Sequence, residues 1–298
     1  MFSYNDLLHE LQLFNTHGVE VGSIGESTLG QRIPYIFVGQ KNGNYMIVQS
    51  AIHAREHITS LLCLCQAKYL VKNSDLLNLG GIYFIPMTNP DGVRLCQEGV
   101  DFVEDEERRK FLSELNGGSD FSLWKSNVNG VDINVNFDAN WGKGASNVFS
   151  PDKENYVGKC PESEAETQAL VRFTLAVKPL VTLSYHCKGE VVYWKFNQAT
   201  HRLWRDKRYA DAIAKSTGYR LIDGKGSTGG YKDWCIKMLK IPSYTIEVGS
   251  DAFEHPFPYS QFDNILAQNE DLPRRLLNSV VKDKQRLEKA GIDWTLSI

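Results

Sequence analysis

The stretch Tyr45-Met-Ile-Val-Gln-Ser-Ala-Ile-His-Ala-Arg-Glu56 joins an apolar run to side chains that can bind a metal ion. Its first part, Tyr45 to Gln49, has the length and composition of a strand. An Asn42-Gly43 pair precedes it and is a strong short-range signal for a hairpin with the apolar run Ile33 to Val38. The strand runs directly into His53, so the sequence predicts that this side chain lies at the end of a strand.

Predicted strands and helices alternate along the rest of the chain, without a repeat, a low-complexity tract or a linker. This alternation predicts a single α/β domain over residues 1–298, and the hairpin indicates a mixed twisted sheet flanked by helices. Residues 97–130 are polar and charged, and we expect a surface excursion that could serve as a lid. Further strands are predicted at Gly81–Met87, Pro179–Tyr185 and Pro242–Glu247, and helices at Thr59–Val71, Glu104–Leu115, Glu162–Val177, Arg205–Thr217, Asp233–Leu239 and Ile265–Leu287, after a first helix capped by Ser3.

Four polar side chains occupy the same position relative to the predicted strands. His186 and Glu247 end two of them, as His53 ends another, and Asn89 opens the turn cluster Asn89-Pro-Asp-Gly92 after a fourth. Open α/β sheets gather their ligands at the carboxyl ends of the strands. The sequence therefore predicts a functional site at this edge of the sheet.

The charge balance gives no reason to expect a nucleic acid or an anionic membrane as partner. Lys and Arg together number 33 and Asp and Glu 36, which leaves a formal net charge of −3. The six cysteines follow no repeating spacing, and the N-terminus does not resemble a secretory signal. A run of about 18 apolar residues, as a membrane span needs, is absent. These features predict a cytoplasmic protein with reduced thiols and leave its oligomeric state open.

His53 and Glu56 are close enough along the chain for an imidazole and a carboxylate to bind one metal ion. His186, from a different strand, would complete a set of two histidines and one glutamate, which leaves a coordination position of a catalytic zinc ion open for water. A His-x-x-Glu pair alone also occurs by chance at the start of surface helices. The neighbouring His57 is an alternative ligand.

Five motifs follow one another in the chain. They are His53-Ala-Arg-Glu-His-Ile-Thr59, Asn89-Pro-Asp-Gly92, Gly130-Val-Asp-Ile-Asn-Val-Asn-Phe-Asp138, Ser184-Tyr-His-Cys-Lys-Gly189 and Tyr244-Thr-Ile-Glu-Val-Gly249. In these motifs and in their order, the chain resembles the zinc metallocarboxypeptidase family over nearly its whole length. The resemblance implies a carboxypeptidase-like fold and one Zn²⁺ ion, with His53, Glu56 and His186 as its ligands. It also implies that Glu247 is the general base of amide hydrolysis and that Asp132 orients His53 through the second ring nitrogen.

Lys125 is the candidate for a second catalytic group. In the family, an arginine that follows a tryptophan helps the zinc ion to stabilise the developing oxyanion. Trp124-Lys125 takes this place in the chain. The resemblance therefore implies an oxyanion-stabilising role for Lys125, and a solvated loop lysine is the alternative.

Two positions depart from typical members of the family. Val135 follows Asn134 where the family has an arginine that clamps the C-terminal carboxylate of the substrate, and a valine side chain cannot replace that fork. Lys225 stands where digestive members have the tyrosine that closes over the substrate. These departures argue against a conventional exopeptidase.

At these positions the chain is similar to one branch of the family, the bacterial γ-D-glutamyl-diaminopimelate peptidases, in Asn134–Asp138, His186–Glu190 and Gly229–Trp234. The resemblance implies a cell-wall-derived peptide as substrate, cut between D-glutamate and a diamino acid. Such a substrate carries carboxylates on both sides of the scissile bond, which nearby cations could bind. The candidate substrate-binding residues are Arg55, Asn134, Lys188, Lys225 and Lys232; as alternatives, Lys188 and Lys225 are solvated, and Lys232 does no more than pair with Asp233.

The leading hypothesis is thus hydrolysis of the γ-D-glutamyl-diamino acid bond in soluble cell-wall peptides. An ordinary metallocarboxypeptidase or a small-molecule amide hydrolase on the same scaffold is the nearest alternative, and a peptide-binding module without turnover is the non-enzymatic one. Val135 argues against the ordinary carboxypeptidase. The complete set of metal ligands and base argues against the binding module.

Overall fold

One mixed sheet organises the protein, for which a computed structural model describes residues 1–224, 226–292 and 294. The strand order within these residues is β1-β2-β4-β3-β5-β8-β6-β7. The strands are β1 (Glu20–Glu26), β2 (Arg32–Gly39), β3 (Tyr45–Ser50), β4 (Gly81–Ile85), β5 (Val181–Cys187), β6 (Val191–Tyr193), β7 (Arg220–Ile222) and β8 (Ser243–Val248).

Side chains that alternate along the central strands are buried on opposite faces of the sheet. On β3, Met46 and Val48 belong to one hydrophobic cluster and Ile47 belongs to another, and all three are fully buried. Helices α1, α2, α6, α8 and α9 cover the first face, and α5 and α7 cover the second. The helices are α1 (Tyr4–Thr16), α2 (Ile58–Lys72), α3 (Pro90–Glu98), α4 (Glu106–Asn116), α5 (Ala165–Val177), α6 (Thr200–Thr217), α7 (Tyr231–Trp234), α8 (Phe262–Asn269) and α9 (Leu272–Lys289).

Four neighbouring strands, β4, β3, β5 and β8, are parallel, so their carboxyl ends lie at one edge of the sheet. His53 follows β3, and His186 and Glu247 lie near the ends of β5 and β8. The last two residues are direct neighbours in the register of the β5–β8 pair. The prediction that these three residues meet at one edge is confirmed.

β2 and β3 do not form the hairpin that the Asn42-Gly43 pair predicts. β4 lies between them and pairs antiparallel with β2 and parallel with β3. The Asn42-Gly43 signal reflects only the local sequence. In the sheet, the fully buried β3 instead pairs with a parallel strand on each side, β4 and β5. The prediction of a mixed sheet is correct, but the hairpin near the N-terminus consists of β1 and β2.

β1 is absent from the sequence-based prediction. Its residues, Glu20 to Glu26, include two glycines and two glutamates, and only Ile24 is buried, so the strand shows no clear alternation. A tight turn joins it to β2, with a hydrogen bond of 2.8 Å from Ser27 N to Gln31 O. Tertiary pairing with β2, rather than local propensity, explains why this segment is extended.

The predicted helices form, but the predicted final helix Ile265–Leu287 is two helices, α8 and α9. Pro273 lies in the first turn of α9, where its missing N–H costs no helical hydrogen bond. The predicted helix Asp233–Leu239 is the short α7 followed by a π-helical turn, Cys235–Leu239. Among the described residues, no helix has both the length and the apolar character that crossing a membrane requires.

Residues 97–130 contain α4, as predicted, but they are not simply a surface excursion. Their apolar side chains form a buried cluster that packs against Ala54, the neighbour of His53. The sequence conceals this cluster because its members are scattered among charged residues without helical or strand periodicity. They are Val103, Leu112, Phe121, Trp124 and Val128.

Candidate metal centre

The loop after β3 holds His53 at the edge of the sheet. Ala51 N donates a hydrogen bond to Thr59 Oγ1 at 3.0 Å, and Ala54 N donates to Lys125 O at 3.0 Å. His53 itself has an extended backbone, and a short helical turn, Ala54–Glu56, follows it. The backbone on both sides of the histidine is therefore fixed by hydrogen bonds to other segments.

Asn89 connects this loop to the segment before Asp132. Its Nδ2 donates to Ile52 O and to Ser126 O, both at 3.2 Å. Its Oδ1 accepts from Gly92 N at 3.0 Å, so Asn89 caps α3 instead of opening a simple turn as predicted. The asparagine is fully buried and supports the site from behind.

His53, Glu56 and His186 bring three donor atoms together. His53 Nδ1 lies 2.8 Å from Glu56 Oε1, His186 Nδ1 lies 3.1 Å from Glu56 Oε2, and the two Nδ1 atoms are 3.1 Å apart. Ligands of a tetrahedral zinc ion at their usual bond lengths are about 3.3 Å apart. Within the described residues this is the one group of its kind, with all donor atoms inside 4.8 Å and all three residues buried. The donor set and its spacing fit zinc.

The charges in this group support one another. Burial opposes ionisation of Glu56, but the His53 and His186 imidazoles hold the pKa of its carboxyl well below the usual range. Burial also acts to lower the pKa of His53, and Glu56 and Asp132 reverse this effect and raise it. A negatively charged, buried carboxylate therefore lies next to two imidazole nitrogens, and this is the arrangement that the binding of a dication requires.

Asp132 is a fully buried carboxylate with four donors. Oδ1 accepts from His53 Nε2 at 3.2 Å and from Asn134 N at 3.0 Å. Oδ2 lies 2.7 Å from Lys125 Nζ and accepts from Asn155 N at 3.2 Å. Although burial opposes ionisation, Lys125 and His53 hold the pKa of Asp132 far below its usual range. Asp132 thus lies where it can fix the orientation of His53, with Nδ1 directed at Glu56.

Glu247 differs from Asp132 because no hydrogen bond to its side chain is found within the described residues. Burial raises the pKa of Glu247 to about 8, against the attraction of His186 and with a further contribution from Glu56. Glu247 is not in the group of three residues that could hold a metal ion. Its carboxylate lines the same cavity as His53 and His186.

This cavity has a volume of about 400 Å³, and polar and apolar atoms contribute similar shares of its lining. Of the candidate site residues, His53, Lys125, Asp132, Asn134, His186, Lys232 and Glu247 line it. Val135 also contributes to the wall, and no arginine lines the cavity among the described residues. The cavity therefore combines two histidines of the metal-type donor set, a separate carboxylate and two lysines.

Lys125 lies in the cavity wall, with its ammonium next to Asp132. Burial acts to lower the pKa of Lys125, but Asp132 and Glu56 together raise it, so the lysine is a cation. Apart from Asp132, its Nζ contacts Asn155 Oδ1 at 3.5 Å. An ammonium has three N–H donors, so one of them can face the cavity.

Arg55 and Lys188 do not line the cavity. The Arg55 guanidinium donates to Leu123 O at 3.1 Å and pairs with Glu154 at 3.3 Å. Lys188 Nζ pairs with Glu254 at 3.3 Å. The structure thus gives both cations partners outside the cavity, and the remaining candidate, Lys225, lies outside the described residues.

His57 is separate from the three candidate metal ligands. Its Nδ1 lies 2.7 Å from Tyr259 Oη, and the two rings stack. Burial lowers the pKa of His57 to about 4. Its side chain is therefore neutral and occupied with Tyr259, which leaves His53 as the histidine of this loop that faces Glu56.

Several cavity-lining residues were not predicted from the sequence. Thr245 lies two residues before Glu247 on β8, on the same face, so the period of a strand was a usable signal. Tyr193 lines the cavity from β6, opposite Thr245 in the register of the sheet. Nothing in the local sequence marks Tyr193, because its position depends on the pairing of β6 with β8.

The site lies at the carboxyl edge of a mixed sheet whose central strands are parallel. Two histidines, a glutamate and a separate carboxylate meet there, which is the arrangement of a metallohydrolase type of site. The sequence pattern of the zinc carboxypeptidases matches residues 4–271. The chain belongs to the zinc carboxypeptidase family, whose members are zinc peptidases.

Similarity to individual proteins adds detail. The chain is 32% identical over 256 residues to γ-D-glutamyl-L-diamino acid endopeptidase 1 of Lysinibacillus sphaericus, covering 81% of this chain and 63% of that protein. The fold is similar to that of bovine thrombin-activatable fibrinolysis inhibitor, with a TM-score of 0.75, 21% identity and coverage of 94% and 97% of the two chains. It is also similar to murein-tripeptide amidase MpaA of Escherichia coli O157, with a TM-score of 0.54, 21% identity and coverage of 88% and 91%.

Proposed function

We propose that residues 1–298 act as one catalytic domain that hydrolyses the γ-D-glutamyl-diamino acid bond of bacterial cell-wall peptides. The observation that carries this proposal is the cavity, in which a metal-type donor set and Glu247 occur with Val135 and, among the described residues, without an arginine. A substrate whose carboxylates lie on both sides of the scissile bond suits the lysines of this cavity better than a free peptide C-terminus does. The name of the L. sphaericus relative supports the same bond.

In the proposed mechanism His53, Glu56 and His186 hold one zinc ion. A zinc ion there would act as a Lewis acid and increase the acidity of water. Glu247 accepts the proton of the attacking water and later delivers it to the leaving amine, for which a pKa near neutral is favourable. Asp132 keeps His53 in one tautomer, because its Oδ1 accepts from Nε2.

We propose that Lys125 stabilises the developing oxyanion, because its third N–H donor has no acceptor among the residues that the structure describes. Asn134 has a supporting part, because its Oδ1 accepts from Tyr231 N at 3.2 Å and so connects the Asp132 segment to α7. Arg55 and Lys188 would meet the substrate only at the rim of the site. Lys225 stays a candidate for substrate binding on the sequence argument alone.

The six cysteines are free thiols, in agreement with a reducing compartment, and we propose that the protein works in the cytoplasm on soluble peptides. The alternative that the protein is an ordinary carboxypeptidase is less consistent with Val135 in the cavity wall, because valine cannot bind the C-terminal carboxylate of a peptide. The alternative of a peptide-binding module without turnover is less consistent with Glu247, because the side chain of Glu247 makes no hydrogen bond to a described residue that would give it a structural role.

The test is hydrolysis of L-Ala-γ-D-Glu-meso-diaminopimelate by the zinc-loaded protein, with a standard peptide with a free C-terminus as the comparison. We expect release of L-Ala-D-Glu, loss of this activity with a chelator and recovery with zinc. Glu247→Gln should retain zinc and lose at least about a hundredfold in kcat/KM, because a positioned base contributes roughly 10²–10⁴. Cleavage of the ordinary peptide alone would contradict the proposal, and full activity of the variant would exclude Glu247 as the base.

A further inference from the structure

A second, smaller pocket lies beside the start of α6, and no described residue lines both this pocket and the cavity of the candidate metal centre. Its volume is about 140 Å³. Three cations contribute to its wall, Arg202 from α6 and Lys237 and Lys240 from the π-helical turn and the residue that follows it. The described residues that line the pocket include no carboxylate. Three positive charges therefore surround a small space.

The carboxylates near this pocket do not balance its charge. Lys237 Nζ lies 3.9 Å from Asp138 Oδ1, and the side chain of Asp138 is 57% exposed. Asp206 already accepts hydrogen bonds from Arg205 and Gln198. The first turn of α6 contains no acidic residue, so the positive end of this helix adds to the charge of the pocket. The mutual repulsion of the cations is a cost that a bound anion would remove.

Arg202 has a donor without an acceptor. Its Nε is buried and has no hydrogen-bond partner among the described residues. A buried donor of a charged group that lacks an acceptor is unfavourable, more so than a neutral one. Because Arg202 lines the pocket, an anion bound there could accept this hydrogen bond. A solvated surface arginine would not show a shielded Nε.

The size and the charge of the pocket restrict the class of ligand. Cavities for organic ligands usually have about 300–1,000 Å³, so a pocket of about 140 Å³ suits a small anion or the anionic end of a larger molecule. Arginine binds phosphate oxygens through paired N–H donors, and lysine binds phosphate as a point charge. The side-chain amides of Asn140 and Asn197 also line the pocket and offer further donors. Three cations fit the two charges of a phosphate group better than the single charge of a carboxylate.

We propose that this pocket binds a phosphate group between Arg202, Lys237 and Lys240. The site is independent of the proposed function, because it shares no described residue with the cavity of the metal centre. The phosphate group is either the free inorganic ion or the end of a phosphate monoester, since both present the same dianionic oxygens. Bound there, it would connect the start of α6 to the turn that follows α7.

Isothermal titration calorimetry tests the site, with inorganic phosphate added to the zinc-loaded protein at constant ionic strength. We expect saturable binding, and weaker binding of acetate. Arg202→Met and Lys237→Met should each weaken phosphate binding by at least about tenfold, because each removes a charge-assisted hydrogen bond. Glycerol 3-phosphate distinguishes the two sources: binding as tight as that of phosphate indicates a monoester end, and its absence indicates the free ion.

Lys207→Met is the matched control, because Lys207 also lies on α6 but outside the pocket, where it pairs with Asp211 at 2.8 Å. It should leave the phosphate affinity unchanged. A wild type that does not bind phosphate would overturn the inference, and so would unchanged binding in both pocket variants. Loss of binding in Lys125→Met, with full binding in Arg202→Met, would place the anion at the metal centre instead. If Arg202→Met does not fold, Lys237→Met decides, since its side chain is 38% exposed and its loss disturbs little packing.

Discussion

Asp132 and Glu247 are two carboxylates of one site whose surroundings shift their pKa values in opposite directions. Asp132 has four donors and stays ionised, whereas burial raises the pKa of Glu247 to about 8. Such a separation suits the proposed roles, in which Asp132 stays charged and Glu247 transfers protons. The difference lies in the hydrogen bonds around each residue, because four donors surround Asp132, whereas no described residue donates a hydrogen bond to Glu247.

The raised pKa of Glu247 predicts a pH-dependent effect of Glu247→Gln on the metal-free protein. The folded wild type keeps a proton on Glu247 that the unfolded chain loses above its ordinary pKa of 4.5, so this residue reduces stability as the pH rises from there to about 8. Glutamine stays neutral and removes the penalty. At pH 8 we expect the variant to melt at least about 3 °C above the wild type, and at pH 4.5 we expect similar melting temperatures.

Thermal unfolding of both proteins across this pH range, with chelator present, measures the effect. Glu254→Gln is the control, because its side chain is 89% exposed and should give no pH-dependent difference. If the melting temperatures of the wild type and Glu247→Gln differ by the same amount at all pH values, the pKa of Glu247 is close to its ordinary value.

At the scale of elements, the approach of the Gly229–Gly230 loop to the turn Ile133–Val135 shapes the cavity. Phe137 N donates to Gly229 O at 2.9 Å, and Gly229 has a φ of +86°. A Cβ atom at Gly229 would lie 2.8 Å from Val135 O. Gly229 is therefore required both for its backbone conformation and for this close contact with Val135.

Gly229→Ala should consequently destabilise the protein more than Gly43→Ala does. Gly43 has nearly the same φ, +84°, but no atom lies within 4 Å of the added Cβ, so it measures the conformational cost alone. We expect about 1 kcal/mol for Gly43→Ala and at least about 1 kcal/mol more for Gly229→Ala. Urea unfolding gives both values. Equal losses would show that the loop moves away from Val135 at little cost.

At the scale of the whole molecule, the proposed metal ligands come from distant parts of the chain. His53 and His186 are 133 residues apart in sequence and are brought together by the pairing of β3 with β5. The unfolded chain cannot keep this arrangement, so metal binding and folding are linked. These three buried residues bring two imidazoles and a carboxylate close together in the folded protein.

Zinc should therefore raise the melting temperature substantially. At a free zinc concentration a thousandfold above Kd the gain is about 4 kcal/mol, which corresponds to roughly 8 °C or more. Differential scanning calorimetry with chelator and then with added zinc tests this expectation. His186→Ala should abolish the response, and His9→Ala, at an exposed position on α1, should retain it. A zinc response that survives in His186→Ala would indicate metal binding elsewhere.

The sequence was sufficient to predict the strand ends that carry His53, His186 and Glu247, because a buried strand is apolar and stops at a polar residue. It was not sufficient to predict that β4 separates β2 from β3, since a parallel partner comes from far along the chain and the Asn42-Gly43 signal is local. The sequence was also not sufficient to predict which cations line the cavity. Arg55 and Lys232 are both next to motifs, yet only Lys232 lines the cavity.

The connection from β2 to β3 also matters for handling the protein. It precedes the amino end of β3, whereas the metal ligands follow the carboxyl end, about 20 Å away for a strand of this length. Gly43 has open space around it. An affinity tag or a surface tether inserted at this connection would orient the cavity toward solution, so that an immobilised enzyme could be perfused with substrate without obstruction by its support.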